Sequence, residues 1–129
     1  MIQVAKTSLT AAQIKALFGT PITLLAAPAS GDVNNIIGIT EDFTYVAPAY
    51  GTTAKLRYGY NVSLNASFAQ SANNVLFSGG SSIMPAQKTS ALTPFSTNAA
   101  FKVDVGINPI AGNGTMNIYV IYETVTVNI

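Results

Sequence analysis

The chain has 129 residues, a length typical of one domain that buries a core without metal or disulfide support. It contains no cysteine and no histidine, which excludes disulfides, thiolate or imidazole metal sites, cysteine nucleophiles and a Ser-His-Asp triad. Charged residues make up 9% of the sequence and the formal net charge is +1, so there is no basic field to hold nucleic acid.

The first apolar stretch includes residues 16–31, which carry no charge. Gly19, Pro21 and Pro28 break it into pieces shorter than the about 20 residues that a membrane-spanning helix needs. The lysines ahead of it and the sequence Ala27-Pro28-Ala29 imitate a secretion signal, although Pro21 interrupts the apolar part. We therefore expect this stretch to belong to the mature fold, with no membrane association.

Residues 11–17 predict a helix of about two turns, because all but one of them are good helix formers. Ser8 or Thr10 can act as the N-cap, and Gly19 and Pro21 end the helix. One helical face carries three apolar residues, Ile14, Leu17 and Phe18. So short a helix is stable only when that face docks on a larger structure.

After Thr20 the apolar residues recur with a period of two, which predicts strands. One long or bent strand has apolar residues in odd phase, interrupted by Glu41, at Ile37, Ile39, Phe43 and Tyr45. Residues 56–64 place apolar side chains at every even position and polar residues or Gly at the odd ones. Residues 101–107 alternate in the same way, with Lys102, Asp104 and Gly106 on the polar side.

The last predicted strand is apolar in even phase over residues 116–122 and in odd phase over 125–129. This phase slip near Glu123 predicts a β-bulge or a strand that changes sheet. Residues 108–115 are dense in turn formers and contain the Asn-Gly pair favoured in hairpins. We therefore expect the last two strands to form an antiparallel hairpin.

Further turn signals fall at Pro28 to Asp32, Pro48 to Thr53, Ser78 to Ser82 and Thr93 to Asn98. About seven or eight strands at this spacing predict an all-β fold, a single antiparallel two-sheet β-sandwich that is jelly-roll-like, with one short N-terminal helix. We expect one domain over residues 1–129, with residues 1–19 as an N-terminal arm and short helix and residues 20–129 as the sandwich.

Two weak chemical signals have ordinary structural interpretations. Glu41 and Asp42 could bind a hard cation, but adjacent strand residues point to opposite faces, which favours a solvated strand end or turn. Lys55 and Arg57, with the tyrosines at 58 and 60, mix basic and aromatic side chains as single-strand nucleic acid sites do. The tyrosines face away from Arg57, however, which favours a place in the core. We expect no catalytic residues, no cofactor and no metal site.

The surface is polar mainly through uncharged side chains, with 14 Thr, 11 Asn and 10 Ser in the sequence. A surface with so few charges gives little electrostatic protection against association. We therefore expect the protein to associate with itself or with other proteins as part of its function. The alternative is a compact monomer with a neutral surface.

Both ends of the chain resemble small virion structural proteins of tailed bacteriophages. The opening "LTAAQIKALFGTPITLLAAPASG" is similar to their short helix and apolar strand that end in an Ala-Pro turn. The close "VDVGINPIAGNGTMNIYVIYETVTV" is similar to their final strands around a Gly-rich turn, and "LRYGYNVSL" matches by its alternation. The resemblance implies a β-sandwich on the capsid surface, made in the host cytoplasm, that acts as a head decoration, cement, minor capsid or fibre-base protein.

The resemblance implies that the partners are other copies of the chain, with a trimer favoured, and the major capsid protein or other virion proteins. We expect Ile2 and Val4 to form an assembly arm that pairs with a neighbour's sheet edge. We expect the loop containing Pro48, Tyr50 and Thr52 to form an outward contact surface, with Tyr50 at its tip. A carbohydrate- or receptor-binding module and a pilin-like or surface-layer subunit are the alternatives.

Overall fold

A computed structural model describes residues 1–51, 55–60, 69–71, 76, 79–88 and 99–126. Over these residues the chain forms one short helix and nine strands: β1 (Gln3–Leu9), α1 (Ala11–Lys15), β2 (Ile22–Leu25), β3 (Asp32–Thr44), β4 (Leu56–Tyr60), β5 (Ala69–Gln70), β6 (Ser82–Pro85), β7 (Gln87–Lys88), β8 (Phe101–Val105) and β9 (Thr115–Thr126). The predicted all-β sandwich with one short N-terminal helix is confirmed.

The strands form two antiparallel sheets. Sheet 1 has the order β1-β9-β3-β6, and sheet 2 has the order β2-β8-β4-β5-β7. The first four strands alternate between the sheets, so each connection between them crosses from one sheet to the other. Strands that are distant in sequence therefore lie side by side, as β1 and β9 do.

The core lies between the two sheets and contains the inward residues of both. In sheet 1, Leu9, Met116 and Phe43 lie opposite one another on adjacent strands and are buried. In sheet 2, Val103 and Tyr58 form a buried cross-strand pair. These side chains belong to one hydrophobic cluster that joins the two sheets, so their burial supplies the main driving force for sheet packing.

Helix α1 confirms the predicted signals at its start. Thr10 is the N-cap, and its hydroxyl accepts a hydrogen bond from the Gln13 backbone N–H while the Gln13 side chain accepts one from the Thr10 backbone N–H. This reciprocal capping box satisfies two backbone donors that the helix leaves free. Ile14 and Leu17 are buried as predicted, but Phe18 lies beyond the helix end and is exposed. No helix in the described residues is long and apolar enough to span a membrane.

The predicted hairpin of the last two strands is wrong. Strand β8 pairs with β2 and β4 in sheet 2, whereas β9 pairs with β1 and β3 in sheet 1. The Gly-rich residues 106–114 therefore cross between sheets. Local turn chemistry marks where the chain turns and does not decide which strands pair, because pairing depends on burying both apolar faces.

A β-bulge lies near the predicted phase slip at Glu123, but it is in β3, the strand that pairs with β9. Strand β9 stays paired with β3 past Glu123, and the register shifts on β3 between Ile36 and Gly38. Ile37 is the extra residue of this bulge, so it is exposed rather than inward as its odd phase predicted. The bulge keeps Ile36 on one side of it and Ile39 on the other in the core.

Candidate contact surface

Four connections of the chain meet at one end of the sandwich. They are residues 16–21 after α1, residues 45–51 after β3, residues 79–81 before β6, and residues 106–114 between β8 and β9. The Phe18 backbone N–H donates to Asn108 Oδ1 at 2.9 Å, and the Tyr45 backbone N–H donates to Ser81 Oγ at 2.9 Å. These bonds tie the connections in pairs. We call this surface the loop end.

Residues 45–51 and 106–114 are joined most extensively. Gly51 N–H donates to the Ile110 carbonyl at 2.7 Å, and these two residues form an isolated β-bridge. Asn113 donates from its backbone to the Pro48 carbonyl at 3.3 Å and from its side-chain amide to the Ala47 carbonyl at 2.9 Å. The Ala47-Pro48 peptide bond is cis. Cross-bonding of this density holds exposed side chains in fixed positions.

Tyr50 anchors the loop end from below. Its side chain is 1% exposed, and its hydroxyl donates to the Gly114 carbonyl at 2.5 Å. Burial raises the pKa of Tyr50 to about 12, so it remains a neutral donor. Gly112 has a φ of +87°, and a Cβ there would overlap the Tyr50 ring. The tyrosine therefore occupies space that only glycine leaves open.

The surface of the loop end is uncharged and exposes several large apolar side chains. Four large side chains are between 47% and 69% exposed there: Phe18, Val46, Ile107 and Ile110. Residues 16–21, 45–51, 79–81 and 106–114 include no Asp, Glu, Lys or Arg. A rigid set of exposed apolar side chains without charge is typical of a protein interaction site.

The contact loop predicted at Pro48, Tyr50 and Thr52 stays a prediction, and the structure places two of these three residues. Pro48 is exposed at the loop end, whereas Thr52 lies outside the described residues. The prediction that Tyr50 points outward is wrong, because its ring fills the space left by Gly112 and its hydroxyl has an internal partner. Its role in contacts remains a prediction for the loop as a whole.

The sequence pattern did not identify Ile107 and Ile110 as surface residues. Ile107 continued the alternation of residues 101–107, but β8 ends at Val105 and the side chain is exposed. Ile110 stands inside a run of turn formers. An isoleucine among Gly, Asn and Pro was the available signal, since a turn has no inner face on which to bury it.

Ile2 and Val4, the predicted assembly arm, lie at the edge of sheet 1. Residues 3–9 pair with β9 of the same chain, so this segment is an edge strand of the sandwich rather than a detached arm. The two side chains are 63% and 62% exposed. An open edge strand is still a surface on which another strand can pair.

An unusual polar contact lies in the interior of the sandwich. Glu41 is 0% exposed, and the Tyr58 hydroxyl of sheet 2 donates to its Oε2. Burial raises the pKa of Glu41 to about 7, an effect that the hydrogen bond from Tyr58 partly opposes. Asp42, its neighbour, points to the opposite face. The predicted solvated position of Glu41 is therefore wrong, and the two carboxylates do not converge on a cation.

Asp104, the second buried carboxylate, forms an ion pair with Arg57. Arg57 and Asp104 are directly opposite on β4 and β8, and two guanidinium nitrogens each donate to an Asp104 oxygen at 3.0 Å. Burial raises the pKa of Asp104, and the hydrogen bonds and charge of Arg57 oppose that effect. Tyr58 faces the core, as expected for the alternation of this strand. Within the described ranges no group of three or more Asp or Glu could hold a metal ion.

Neither a protein-family model nor a curated protein sequence matches the chain. Among solved structures, the chain is similar to one titled "Cyanophage Pam1 capsid asymmetric unit". The identity is 22%, the TM-score is 0.58, and the match covers 95% of this chain and 82% of the other. At this level of identity the likeness shows that the two chains share a fold over nearly the whole length of this one.

Proposed function

We propose that this protein is a non-enzymatic structural protein of a tailed-phage virion, located on the capsid surface as a decoration, cement or minor capsid protein. The fold it shares with a chain of a cyanophage capsid supports this proposal. The phage-like opening and closing sequences, read from residues alone, support the same role. Such a protein would be made in the host cytoplasm and would bind the major capsid protein or other virion proteins.

The order of the strands also supports a virion role. The strand orders β1-β9-β3-β6 and β2-β8-β4-β5, with β7 added at the edge of sheet 2, support the proposal of a jelly roll of eight strands. Viral capsid domains commonly use this arrangement, and so do lectins. The fold therefore favours two classes of binding protein, and the exposed residues of the loop end support the first.

The loop end is the observation that carries the proposal. Burial against an apolar partner would be favourable for its exposed side chains, which are Phe18, Val46, Ile107 and Ile110. Because the loop end has no charged residue, such a contact would be insensitive to salt. Each such contact is weak, but many copies on one lattice, or several copies in a closed oligomer such as a trimer, raise the overall affinity.

A carbohydrate-binding module of a phage fibre is the alternative. Sugar sites in lectins combine exposed aromatic rings with clustered hydrogen-bonding side chains. At the loop end Phe18 is the one exposed aromatic residue among those described, because Tyr50 is buried and Tyr45 is half-buried. The exposed isoleucines suit a protein partner better than a sugar.

The test is binding to capsids that were assembled without this protein. Ile107→Asp combined with Ile110→Asp should reduce the amount of protein that co-sediments with such capsids at least about tenfold, because each charge must be desolvated in an apolar contact. The control is Ala29→Asp, an exposed change in the β2–β3 connection at the opposite end of the sandwich. Equal binding by wild type and the double variant would contradict the proposal. Binding of the wild type to a glycan array, with none to capsids, would support the alternative.

A further inference from the structure

The outer face of sheet 1 is a second exposed surface, separate from the loop end. It is formed by alternate residues of four strands: Val4, Lys6 and Ser8 of β1; Asn117, Tyr119 and Ile121 of β9; Gly38, Thr40 and Asp42 of β3; Ile83 and Pro85 of β6. Their sequence neighbours, such as Ile118 and Phe43, are buried in the core. None of the eleven residues is buried. We call this surface the sheet 1 face.

The side chains of the sheet 1 face lie in three rows across the strands. The row at one end is apolar, since Val4 is opposite Ile121 and Ile121 is opposite Gly38. The Ile121 side chain reaches over Gly38, where a Cβ, if present, would lie 4.0 Å from Ile121 Cδ1. The middle row contains Lys6, Tyr119 and Thr40. In the third row, Ser8 donates to Asn117 Oδ1 at 2.7 Å and Asp42 lies beyond it.

The sheet 1 face carries one positive and one negative side chain. Lys6 Nζ lies 5.9 Å from the centre of the Tyr119 ring, and Asp42 is two strands and one row away. Strand spacing and rise place their Cα atoms about 12 Å apart. Within the described ranges neither side chain takes part in an ion pair. Glu123, at the end of the face, pairs instead with the N-terminal ammonium at 3.6 Å.

We propose that two copies of the chain associate through their sheet 1 faces, with Lys6 of each copy paired to Asp42 of the other. A twofold axis between the faces, perpendicular to the line from Lys6 to Asp42 at its midpoint, brings both pairs together at once. Registers that stack like residues place lysine against lysine and are disfavoured. The two charges thereby select one arrangement, and Tyr119 lies near its centre, where aromatic residues contribute most.

The proposal commits to a second copy because this face is complementary to itself. Lys6 and Asp42 together give this face a net charge of zero. The face therefore offers no net electrostatic attraction to a strongly charged protein. Four strands about 4.8 Å apart and three rows about 6.7 Å apart make a face of about 19 by 20 Å. This area of about 400 Å² is about half of the about 800 Å² per partner of standard interfaces. We therefore expect a dimer that dissociates on dilution. The inference does not depend on the role of the loop end or on a virion location.

The test is a charge swap measured by sedimentation equilibrium over a concentration series. Lys6→Asp alone and Asp42→Lys alone should each raise the dimer dissociation constant at least about tenfold, because each places like charges opposite each other. The double variant Lys6→Asp with Asp42→Lys should restore dissociation to near the wild-type value. Lys102→Asp, on the outer side of sheet 2, makes the same charge change as the first variant and should have no effect.

Three results would overturn the proposal. They are a wild type that stays monomeric at every concentration, a double variant that dissociates as the single variants do, and an oligomer that neither single change affects. Circular dichroism of each variant tests whether it is folded. If either reversal unfolds the chain, Lys6→Ser and Asp42→Ser replace it, and each should weaken the dimer while the combination weakens it no further. A trimer that the charge swap leaves intact would point to association through another surface.

Discussion

The Tyr58 hydroxyl donates a hydrogen bond to a carboxylate oxygen of Glu41 across the interior of the sandwich, so a polar contact joins the centres of the two sheets. The other oxygen, Glu41 Oε1, is buried without a hydrogen-bond partner among the described residues, and so is Ser82 Oγ. A buried carboxylate with one partner for two oxygens is unstable in its ionised form. Glu41 therefore makes the stability of the fold dependent on pH.

Glu41→Gln should increase the free energy of unfolding at alkaline pH. The pKa of Glu41 is raised from 4.5 to about 7 in the folded protein, so the folded state retains a proton that the unfolded state has released. Wild-type stability should fall as the pH rises from 4.5 to about 7, then remain at its lower value. At pH 8 the variant should be more stable by about 3 kcal/mol, and near pH 4 the difference should vanish.

Urea denaturation at several pH values measures this difference. Glu123→Gln is the control, since this exposed carboxylate pairs only with the chain terminus among its described contacts, and it should not reproduce the pH dependence. A Glu41→Gln variant that is less stable than wild type at pH 8 would show that the ionised carboxylate is stabilised in the core.

The alternation of single residues predicted the sheet faces well and the buried charges poorly. Leu56, Tyr58, Val103 and Met116 all face the core as their spacing predicted. Glu41 and Asp104 are buried in spite of their charge because Tyr58 and Arg57 supply partners from other strands. Such a partner is distant in sequence, so a local pattern contains no information about it.

The loop end shows a similar limit. The sequence predicted a turn at residues 108–115 and a contact loop near Pro48, and the two are neighbours in the structure. Nothing local indicated that Asn113 bonds to Ala47 and Pro48, or that Tyr50 turns inward against Gly112. These contacts exist because β8 and β9 belong to different sheets, and the choice of sheet depends on the whole fold.

Gly112→Ala should destabilise the protein by about 3 kcal/mol or more, since it combines strain at a positive φ with overlap on the Tyr50 ring. Gly19→Ala is a matched control, because a Cβ there meets nothing within 4 Å, and it should change the free energy of unfolding by less than about 0.5 kcal/mol. Thermal or urea unfolding measures both. Equal effects of the two changes would mean that the Tyr50 ring has room to move.

The Arg57–Asp104 pair should show strong coupling in a double-mutant cycle. Asp104→Ala leaves the mostly buried Arg57 guanidinium without its two 3.0 Å partners and should cost about 3 kcal/mol. Adding Arg57→Ala should cost little more, because the buried charge that has lost its carboxylate partner is then removed. Urea unfolding of the wild type and three variants gives the coupling. Additive losses would mean that the two side chains contribute independently.

Deletion of residues 1–8 should lower the free energy of unfolding of the monomer. If these residues were a detached arm, their deletion would leave that free energy unchanged. The deletion removes nearly all of β1 and leaves the backbone of β9 unpaired along that edge. It also removes Thr7 and Ala5, the cross-strand neighbours of the buried Ile118 and Val120. Urea unfolding measures the loss, and an unchanged free energy of unfolding would mean that β1 is not held in its own sheet.

Point changes separate the fold from the proposed assembly role of the same segment. Ile2→Ser with Val4→Ser should leave the free energy of unfolding within about 0.5 kcal/mol of wild type, because both side chains are exposed. In the wild type, the apolar surface of these two side chains lies at the open edge of sheet 1, where it can contact another molecule. The double variant should therefore bind capsids or self-associate more weakly than wild type. The control is Thr23→Ser, an exposed change on β2 of the other sheet. Unchanged association by light scattering and co-sedimentation would remove Ile2 and Val4 from the contact surface.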